Sequence, residues 1–282
     1  MHFLTIAEDT PYYQWQIELL IESFKMKNLE DKLFIYLIKT ENSVDGIKNN
    51  INNHPNLFYY NSDRIKTCSL NFDFHQCILN YRDKFPLENF MILDTDNLLK
   101  NIDESDFNLQ NLVYQIDQKE NDELSLILKL SRSKYNYSFY PMTSIVYFSA
   151  LYSYDFFKSA FIILEDLIKI SFFCNIDNEK HEPDLDLYKY SYLILSLMYN
   201  IKVNPSYKLL NYAYEGTDMD VNFISYKHDV KPYFYKKNYF QKDFKNLSLS
   251  YTDPFENMLD LPDFVGCSFI KSIVLSYQNF SD

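Results

Sequence analysis

The chain has 282 residues, 47% of them hydrophobic and 18% aromatic, which is enough to bury a full core, either as one large domain or as two closely abutting halves. Glycine occurs only at positions 46, 216 and 266, which cannot form a P-loop or the glycine motif of dinucleotide-binding folds, so the usual ATP-grasping and NAD-binding enzymes are not expected. The formal net charge of -12 argues against a protein that binds duplex nucleic acid, because such proteins cluster cations against phosphates.

The first half of the sequence alternates short apolar runs with segments of helical periodicity. Strands are predicted at 2–7, 32–39, 57–60 and 89–93, and helices at 12–26, 44–52 and 72–85. The run at 32–39 is apolar at almost every position, which is typical of a strand covered on both faces. This order predicts an α/β fold with a mostly parallel central sheet flanked by helices, whose ligands gather at the carboxyl ends of the strands.

The second half is less regular and predicts a smaller, mixed part of the fold. Helices are predicted at 123–130, 152–173 and 185–200, and strands at 144–149, near 203, and within 207–214 and 223–226. The rest of the stretch from 97 to 136 is interpreted as polar. Since no internal repeat or disordered linker is evident, we expect a single domain over 1–282 with two halves, 1–100 and 101–282.

The cysteines and the first residues bear on the cellular compartment. Four cysteines show neither CxxC pairing nor metal-ligand spacing, and we expect reduced, mostly buried thiols at Cys68, Cys77, Cys174 and Cys267. Glu8 and Asp9 stand where a signal peptide would be apolar, and no apolar run approaches the roughly 20 residues that span a bilayer. We therefore expect a cytoplasmic protein without a membrane anchor.

Two carboxylates follow the predicted strand that ends at Leu93. Asp94 and Asp96 are separated by Thr95, and their side chains point the same way if strand geometry persists through them. Two hard oxygen ligands at the carboxyl edge of a strand suit a divalent cation that also holds a diphosphate. The alternative interpretation is a helix cap or a polar turn after the strand.

Three segments, taken in order, carry a family resemblance. They are Tyr12-Tyr13-Gln14-Trp15-Gln16, Leu93-Asp94-Thr95-Asp96 and Asp186-Leu187-Tyr188-Lys189-Tyr190-Ser191. Together they resemble glycosyltransferases of the GT-A fold, most of all the plant-type hydroxyproline O-arabinosyltransferases and the related peptidyl-serine galactosyltransferases. The resemblance implies a GT-A-like fold and transfer of a sugar from a nucleoside-diphosphate sugar, expected to be a UDP-sugar, to an acceptor hydroxyl with retention of configuration.

The same resemblance implies Mn²⁺ or Mg²⁺ as the cofactor. Asp96 is then a direct ligand, and Asp94 is a ligand or a ribose contact. In that group a late metal-binding histidine belongs to a His-Tyr pair, and this chain has Ser225-Tyr226 in its place. His228, two residues further on, is therefore the candidate third ligand. The alternative for His228 is an ordinary surface histidine.

A carboxylate near the anomeric carbon stabilises the oxocarbenium character of the transition state. Asp186 is the first choice for this catalytic role, with Asp184 and Glu182 as rivals in the same acidic run. The alternative is that these acids lie at a helix N-terminus, where the helix dipole favours negative charge.

The nucleotide-sugar donor is expected to bind in the half 1–100, and the acceptor in the half 101–282. Trp15 is predicted to pack in the core, and His75 and Cys77 to be buried structural residues. The candidates for contact with the nucleotide-sugar are Thr5, Glu8, Asp9, Tyr12, Asp94 and Thr95.

The acceptor stays open among a glycan, a peptide hydroxyl and a modified nucleobase. A basic, aromatic segment from Lys227 to Lys242 is interpreted either as a solvated surface or as a site for a phosphate-bearing donor or acceptor. This segment keeps open an enzyme that glycosylates nucleic-acid bases. A further alternative is a non-catalytic binding protein that retains the fold.

Overall fold

The computed structural model describes residues 1–40, 43, 49–62, 70–107, 111–116, 122–135, 142–173, 186–206, 208–212, 221–226 and 254–281. The strands in these residues are β1 (His2–Glu8), β2 (Leu33–Lys39), β3 (Leu57–Asn61), β4 (Phe90–Leu93), β5 (Asn97–Leu99), β6 (Leu112–Ile116), β7 (Met142–Phe148), β8 (Val203–Ser206), β9 (Leu210–Tyr212) and β10 (Phe223–Ser225). The α-helices are α1 (Pro11–Lys25), α2 (Asn49–Asn52), α3 (Leu70–Lys84), α4 (Asp122–Tyr135), α5 (Tyr154–Phe173), α6 (Leu187–Met198), α7 (Pro254–Leu259) and α8 (Val265–Ser281), and short 3-10 turns cover Glu30–Lys32 and Glu104–Phe107.

A seven-stranded sheet forms the centre of the fold, in the order β3-β2-β1-β4-β7-β6-β8. The β1–β2, β2–β3 and β6–β8 pairs are parallel, whereas β7 is antiparallel to both β4 and β6. A second sheet has the order β5-β10-β9, with β10 antiparallel to β5 and parallel to β9. The prediction of an α/β fold with a mostly parallel central sheet flanked by helices is confirmed.

The first two strands of the chain, β1 and β2, are buried along almost their whole length. Positions 3–7 of β1 and 33–38 of β2 are all buried, as their continuous apolar sequences predict for strands covered on both faces. Helix α1 then begins at Pro11, because the fixed backbone torsion of proline suits the first helical position and its missing N–H would have no partner there.

Most predicted elements are present, with ends that differ by a few residues. The structure also contains elements that were not predicted. These are β5 and β6, which lie in the stretch interpreted as polar, and α7 and α8, for which the sequence pattern made no prediction. Both strands lie in a mostly polar stretch, where a few apolar residues do not stand out as a strand, and each pairs with a strand distant in the sequence. Of the helix predicted at 44–52, the described residues contain Asn49–Asn52 as α2.

The chain divides into two compact units, each made of separate stretches of sequence. The first contains Met1–His2, Ser62–Ile92 and Ser105–Tyr207, and the second contains Phe3–Asn61, Leu93–Glu104 and Lys208–Asp282. In the first unit, aromatic rings pack between β7, α5 and α6, with Phe157 edge-on to both Phe148 and Tyr192. In the second, an apolar cluster joins α1, β5 and β10 to the two C-terminal helices, and Trp15, Leu98, Ile224, Met258 and Ile273 belong to it.

Several smaller predictions concern buried side chains. Cys77 and Cys267 are buried free thiols, as predicted, and Cys68 and Cys174 lie outside the described residues. Trp15, His75 and Cys77 are at most 2% exposed, which confirms their prediction as buried residues. None of the helices in the described part of the chain has both the length and the apolar character that crossing a membrane requires.

Candidate functional site

The segment Asp94-Thr95-Asp96 forms a turn between β4 and β5. Strand β4 ends at Leu93, and the Asn97 N–H donates to the Asp94 carbonyl at 3.2 Å, the i-to-i+3 bond of a tight turn. The prediction that both carboxylates point the same way required strand geometry through Asp96, and the structure has a turn there instead. Asp96 is only 3% exposed, whereas Asp94 is half-buried, so the two carboxylates have different surroundings.

Helix α1 holds this turn from one side through Gln16. The Thr95 hydroxyl donates to Gln16 Oε1 at 2.8 Å, and Gln16 Nε2 donates to the Tyr12 carbonyl at 2.7 Å. Gln16 is fully buried and lies one helical turn after Tyr12. A single amide side chain thus links the middle residue of the turn to the first turn of α1.

Strand β10 holds the turn from the other side. Ser225 is the antiparallel partner of Asn97, which places its hydroxyl 3.5 Å from Asp96 Oδ1, a long distance for an O–H···O bond. Tyr226 follows Ser225 and is fully buried, with its ring centroid 5.8 Å from that of Trp15. Burial, and then the neighbouring charge of Asp96, raise the pKa of Tyr226 well above its usual value, so the phenol stays neutral beside the carboxylate.

The candidate nucleotide contacts after β1 separate into buried and accessible side chains. Thr5 is fully buried, and its hydroxyl donates to the Leu93 carbonyl at 3.1 Å. Asp9 is 1% exposed and accepts a hydrogen bond from Gln14 Nε2 at 2.8 Å. Glu8 and Tyr12, in contrast, are half-buried, as is Asp94.

Asp186 lies in the first unit, at the N-cap position of α6. Its carboxylate makes no side-chain cap bond to the helix backbone, and its Oδ2 accepts a hydrogen bond from Lys189 Nζ at 3.0 Å. The backbone N–H of Tyr188 is satisfied instead by Asn71 Oδ1 of α3, at 3.0 Å. The remaining predicted positions, Asp184, Glu182, His228 and the segment from Lys227 to Lys242, lie outside the described residues.

The side-chain atoms available at the turn determine which metal ions these residues can coordinate. Within the described ranges, no group of three histidine, cysteine or acidic side chains is placed to hold a metal ion by itself. The groups at the turn are the carboxylates of Asp94 and Asp96 and the hydroxyl of Ser225, which are all oxygen donors. Mg²⁺ is commonly bound through one or two carboxylates completed by substrate phosphates and water, so these residues fit a hard divalent cation of that kind.

Two residues of the site were not predicted as such, although both belong to segments singled out in the sequence. Gln16 and Ser225 contact residues that are 79 and 129 positions away along the chain. The short segments identified the neighbourhood, but nothing in a local pattern indicates which distant side chain each residue meets.

Solved glycosyltransferase structures share the fold of this chain. The galactosyltransferase LgtC in complex with donor and acceptor sugar analogues aligns with a TM-score of 0.53 and 11% identity, over 98% of this chain and 96% of that chain, and an active-site mutant of LgtC gives the same values. A glycosyltransferase involved in the glycosylation of the major capsid of PBCV-1 aligns with a TM-score of 0.43 and 14% identity, over 80% of this chain and 93% of that chain. No family model and no curated protein matches the sequence. At these identities the likeness to LgtC is one of fold, and the chain has a GT-A-like glycosyltransferase fold.

Proposed function

We propose that this protein is a glycosyltransferase that moves a sugar from a nucleoside-diphosphate sugar, a UDP-sugar, to an acceptor hydroxyl with Mn²⁺ or Mg²⁺ as cofactor. One observation carries the proposal. A carboxylate turn, Asp94-Thr95-Asp96, follows β4 in a chain whose fold matches, over 98% of its length, that of a galactosyltransferase crystallised with donor and acceptor analogues. Fold alone does not specify function, so the chemistry of this turn is the part that distinguishes a transferase from a protein that only shares the fold.

The chain's own residues prepare the turn for a cation. Asp96 is buried beside a neutral phenol, Tyr226, and beside the Ser225 hydroxyl, so its negative charge is held in a fixed and poorly solvated position. Asp94 adds a second, more accessible carboxylate. When bound, a divalent cation neutralises the charge that grows on the leaving diphosphate.

The residues that follow β1 are proposed to bind the nucleoside. Glu8 and Tyr12 are half-buried and can reach a ligand, so we assign them, with Asp94, to contact with the base and ribose. Thr5, Asp9 and Thr95 are buried and hydrogen-bonded within the protein, and we assign them to holding the ends of β1 and β4 in place.

Asp186 is proposed to stabilise the oxocarbenium character that develops at the anomeric carbon, in a reaction that retains configuration. Its side chain is 28% exposed, so a ligand can reach the carboxylate. Its position at the N-terminus of α6 also fits the alternative role, in which the helix dipole favours a negative charge there. Asp184 is the rival for the same role.

The test is UDP release from a panel of UDP-sugars by the purified protein with Mn²⁺. Asp96→Asn keeps the shape of the side chain and removes its charge, and it should lower turnover by about 100-fold or more, because the leaving group loses its cation. Asp83→Asn is the matched control, since Asp83 is exposed on α3, and its turnover should stay within about twofold of the wild type.

The outcomes separate the enzyme from a binding protein. If the protein binds a UDP-sugar and no acceptor or water supports turnover, the chain is a non-catalytic binding protein. If no UDP-sugar binds or turns over with metal present, the proposed function is wrong. A preference for an acceptor with a modified nucleobase would identify the alternative enzyme that acts on nucleic acid.

A further inference from the structure

The two ends of the Gln16 amide group bond to two different parts of the second unit. Its Nε2 donates to the Tyr12 carbonyl at 2.7 Å, and its Oε1 accepts the Thr95 hydroxyl at 2.8 Å. Because a backbone carbonyl can only accept a hydrogen bond, the amide nitrogen has to face Tyr12, and the amide oxygen is thereby directed at Thr95. Gln16 is 0% exposed, so water does not compete for either end of its amide.

Other residues hold the two flanks of the acidic turn. Before the turn, the Thr5 hydroxyl donates to the Leu93 carbonyl at 3.1 Å, and after it, Ser23 Oγ accepts the Leu99 N–H at 3.1 Å. Ser23 lies two helical turns beyond Gln16 on α1. Loss of the Gln16 amide therefore leaves β4 attached to β1, and β5 attached to α1, while the middle of the turn loses its link to α1.

Gln16 connects the two ends of the proposed donor site, and both ends belong to the second unit. Tyr12, which is half-buried, is assigned to the nucleoside, and Asp96, the neighbour of Thr95, is assigned to the cation that holds the diphosphate. A ligand that contacts both ends binds tightly when their separation matches its length, and a misplacement of about 1 Å can cost roughly 100-fold. A ligand that contacts one end is indifferent to that separation.

We propose that Gln16 is a positioning residue that sets the separation between the nucleoside contacts on α1 and the cation site at the turn. In this way it favours a ligand that reaches both, a nucleoside diphosphate, over a nucleoside. Gln16 acts through Thr95, whose hydroxyl is bonded to the amide oxygen. The proposal rests on the proposed function, which assigns Tyr12 and Asp96 to the donor.

The experiment measures the dissociation constants of UDP and of uridine by calorimetry, with Mn²⁺ at a concentration that saturates each variant. Their ratio reports how well the two ends match one ligand, because uridine has no phosphate to reach the cation. Gln16→Met has a similar length and no amide, and it should reduce the preference for UDP by about 10-fold or more, while the Kd of uridine stays within about threefold. A purely structural role would weaken both ligands alike and leave the ratio unchanged.

A double-mutant cycle with Thr95 tests the route by which Gln16 acts. Thr95→Val breaks the same bond from the side of the turn and should lower the preference for UDP by a similar factor, whereas Thr95→Ser keeps the hydroxyl and the preference. In the Gln16→Met background, Thr95→Val should cause little further loss, because the bond is already absent. If thermal unfolding shows that Gln16→Met does not fold, the comparison of Thr95→Val with Thr95→Ser decides the test.

Gln76→Met is the matched control. Gln76 Nε2 donates to Asn80 Oδ1, four positions further along α3, at 3.1 Å in an exposed bond. The variant thus removes a glutamine that also bonds within its own helix, but at the surface of the first unit. Its preference for UDP should stay within about twofold of that of the wild type.

A Gln16→Met variant that keeps the UDP preference of the wild type overturns the proposal. So does a cycle in which the effects of Gln16→Met and Thr95→Val multiply, because Gln16 then acts independently of Thr95. A wild type that binds UDP no more tightly than uridine in the presence of Mn²⁺ overturns the proposed function itself. That result is distinct from a wild type that prefers UDP and keeps this preference when Gln16 is replaced.

Discussion

Thr95 has no carboxylate, yet it connects the acidic turn to the rest of the second unit. Its hydroxyl donates to Gln16 Oε1 at 2.8 Å, and both side chains are buried. The oxygen of Gln16 has no route to water if this donor is removed, and an unsatisfied buried acceptor is costly. The bond therefore contributes both to stability and to the placement of Asp94 and Asp96.

Thr95→Val removes this hydroxyl with almost no change of shape. We expect a loss of about 1–3 kcal/mol in the free energy of unfolding by urea, and Mn²⁺ binding weakened by about 10-fold in a titration followed by the electron paramagnetic resonance of free Mn²⁺. Thr95→Ser keeps the hydroxyl and should bind Mn²⁺ as the wild type does. Equal Mn²⁺ affinity of the valine and serine variants would contradict the placement role.

His54 makes the stability of the protein sensitive to acid. It is 7% exposed, and burial, followed by the charge of Lys25, lowers its pKa to about 4, although the Glu30 backbone opposes the shift. Its Nδ1 accepts the Asn56 N–H at 3.2 Å, which requires that nitrogen to be unprotonated. The unfolded chain binds the proton near pH 6.5 and the folded chain only near pH 4, so stability falls as the pH is lowered through this window.

His54→Gln should remove this part of the pH dependence. Between pH 7.5 and pH 4.5, and after allowance for partial solvent screening, we expect protonation of His54 to lower the free energy of unfolding of the wild type by no more than about 2 kcal/mol. The variant should lack this contribution, so its free energy of unfolding should fall less over the same pH range. Urea unfolding at the two pH values measures the difference. Parallel losses in the two proteins would show that His54 does not titrate as its surroundings indicate.

At the scale of elements, helix α8 supports α1 and, through it, the candidate site. The two helices share an apolar cluster that includes Trp15, Leu19 and Ile273, and the Ser276 hydroxyl donates to Glu22 Oε1 at 2.6 Å. Since α1 carries Tyr12 and Gln16, the packing of α8 has consequences for residues far from it in the sequence. The C-terminal helix is thus part of the frame of the second unit.

Ile273→Ala tests this support, because Ile273 is fully buried in α8. The lost transfer free energy and the residual cavity should together lower the free energy of unfolding by about 2–5 kcal/mol. Leu275→Ala is the control on the same helix, at a position that is 50% exposed, and it should change stability by less than about 0.5 kcal/mol. Similar losses for the two variants, measured by urea unfolding, would be evidence against a packed α8.

At the scale of the whole molecule, the negative net charge of the protein opposes the binding of the proposed ligand, which is also an anion. A protein of net charge -12 repels an anionic diphosphate at long range. A divalent cation held by two carboxylates cancels their negative charge at the binding site, which makes metal dependence physically reasonable for this chain in particular. The likeness to LgtC extends over 98% of the chain, but at 11% identity it concerns the backbone and not the chemistry of individual residues.

The prediction of the elements succeeded where one local pattern dominates a long segment. A short window of sequence is enough to identify the apolar runs of β1 and β2 and the helical periodicity of α1, α3 and α5. It failed for β5 and β6, because both lie in a stretch of mostly polar composition and their strand structure depends on pairing with strands distant in the sequence. The fold class depends on the first group, so it was predicted correctly.

The amino-acid order alone was sufficient for the α/β class, for the buried strands and for the placement of two aspartates after β4, because these follow from side-chain hydrophobicity over short windows. Folding of the complete chain was required to bury Asp96 and leave Asp94 partly open, to join Thr95 to Gln16, and to enclose Lys189 behind Asp186. Solvent exposure and contacts between residues some 80 positions apart arise only when separate elements pack together, so no local pattern contains them.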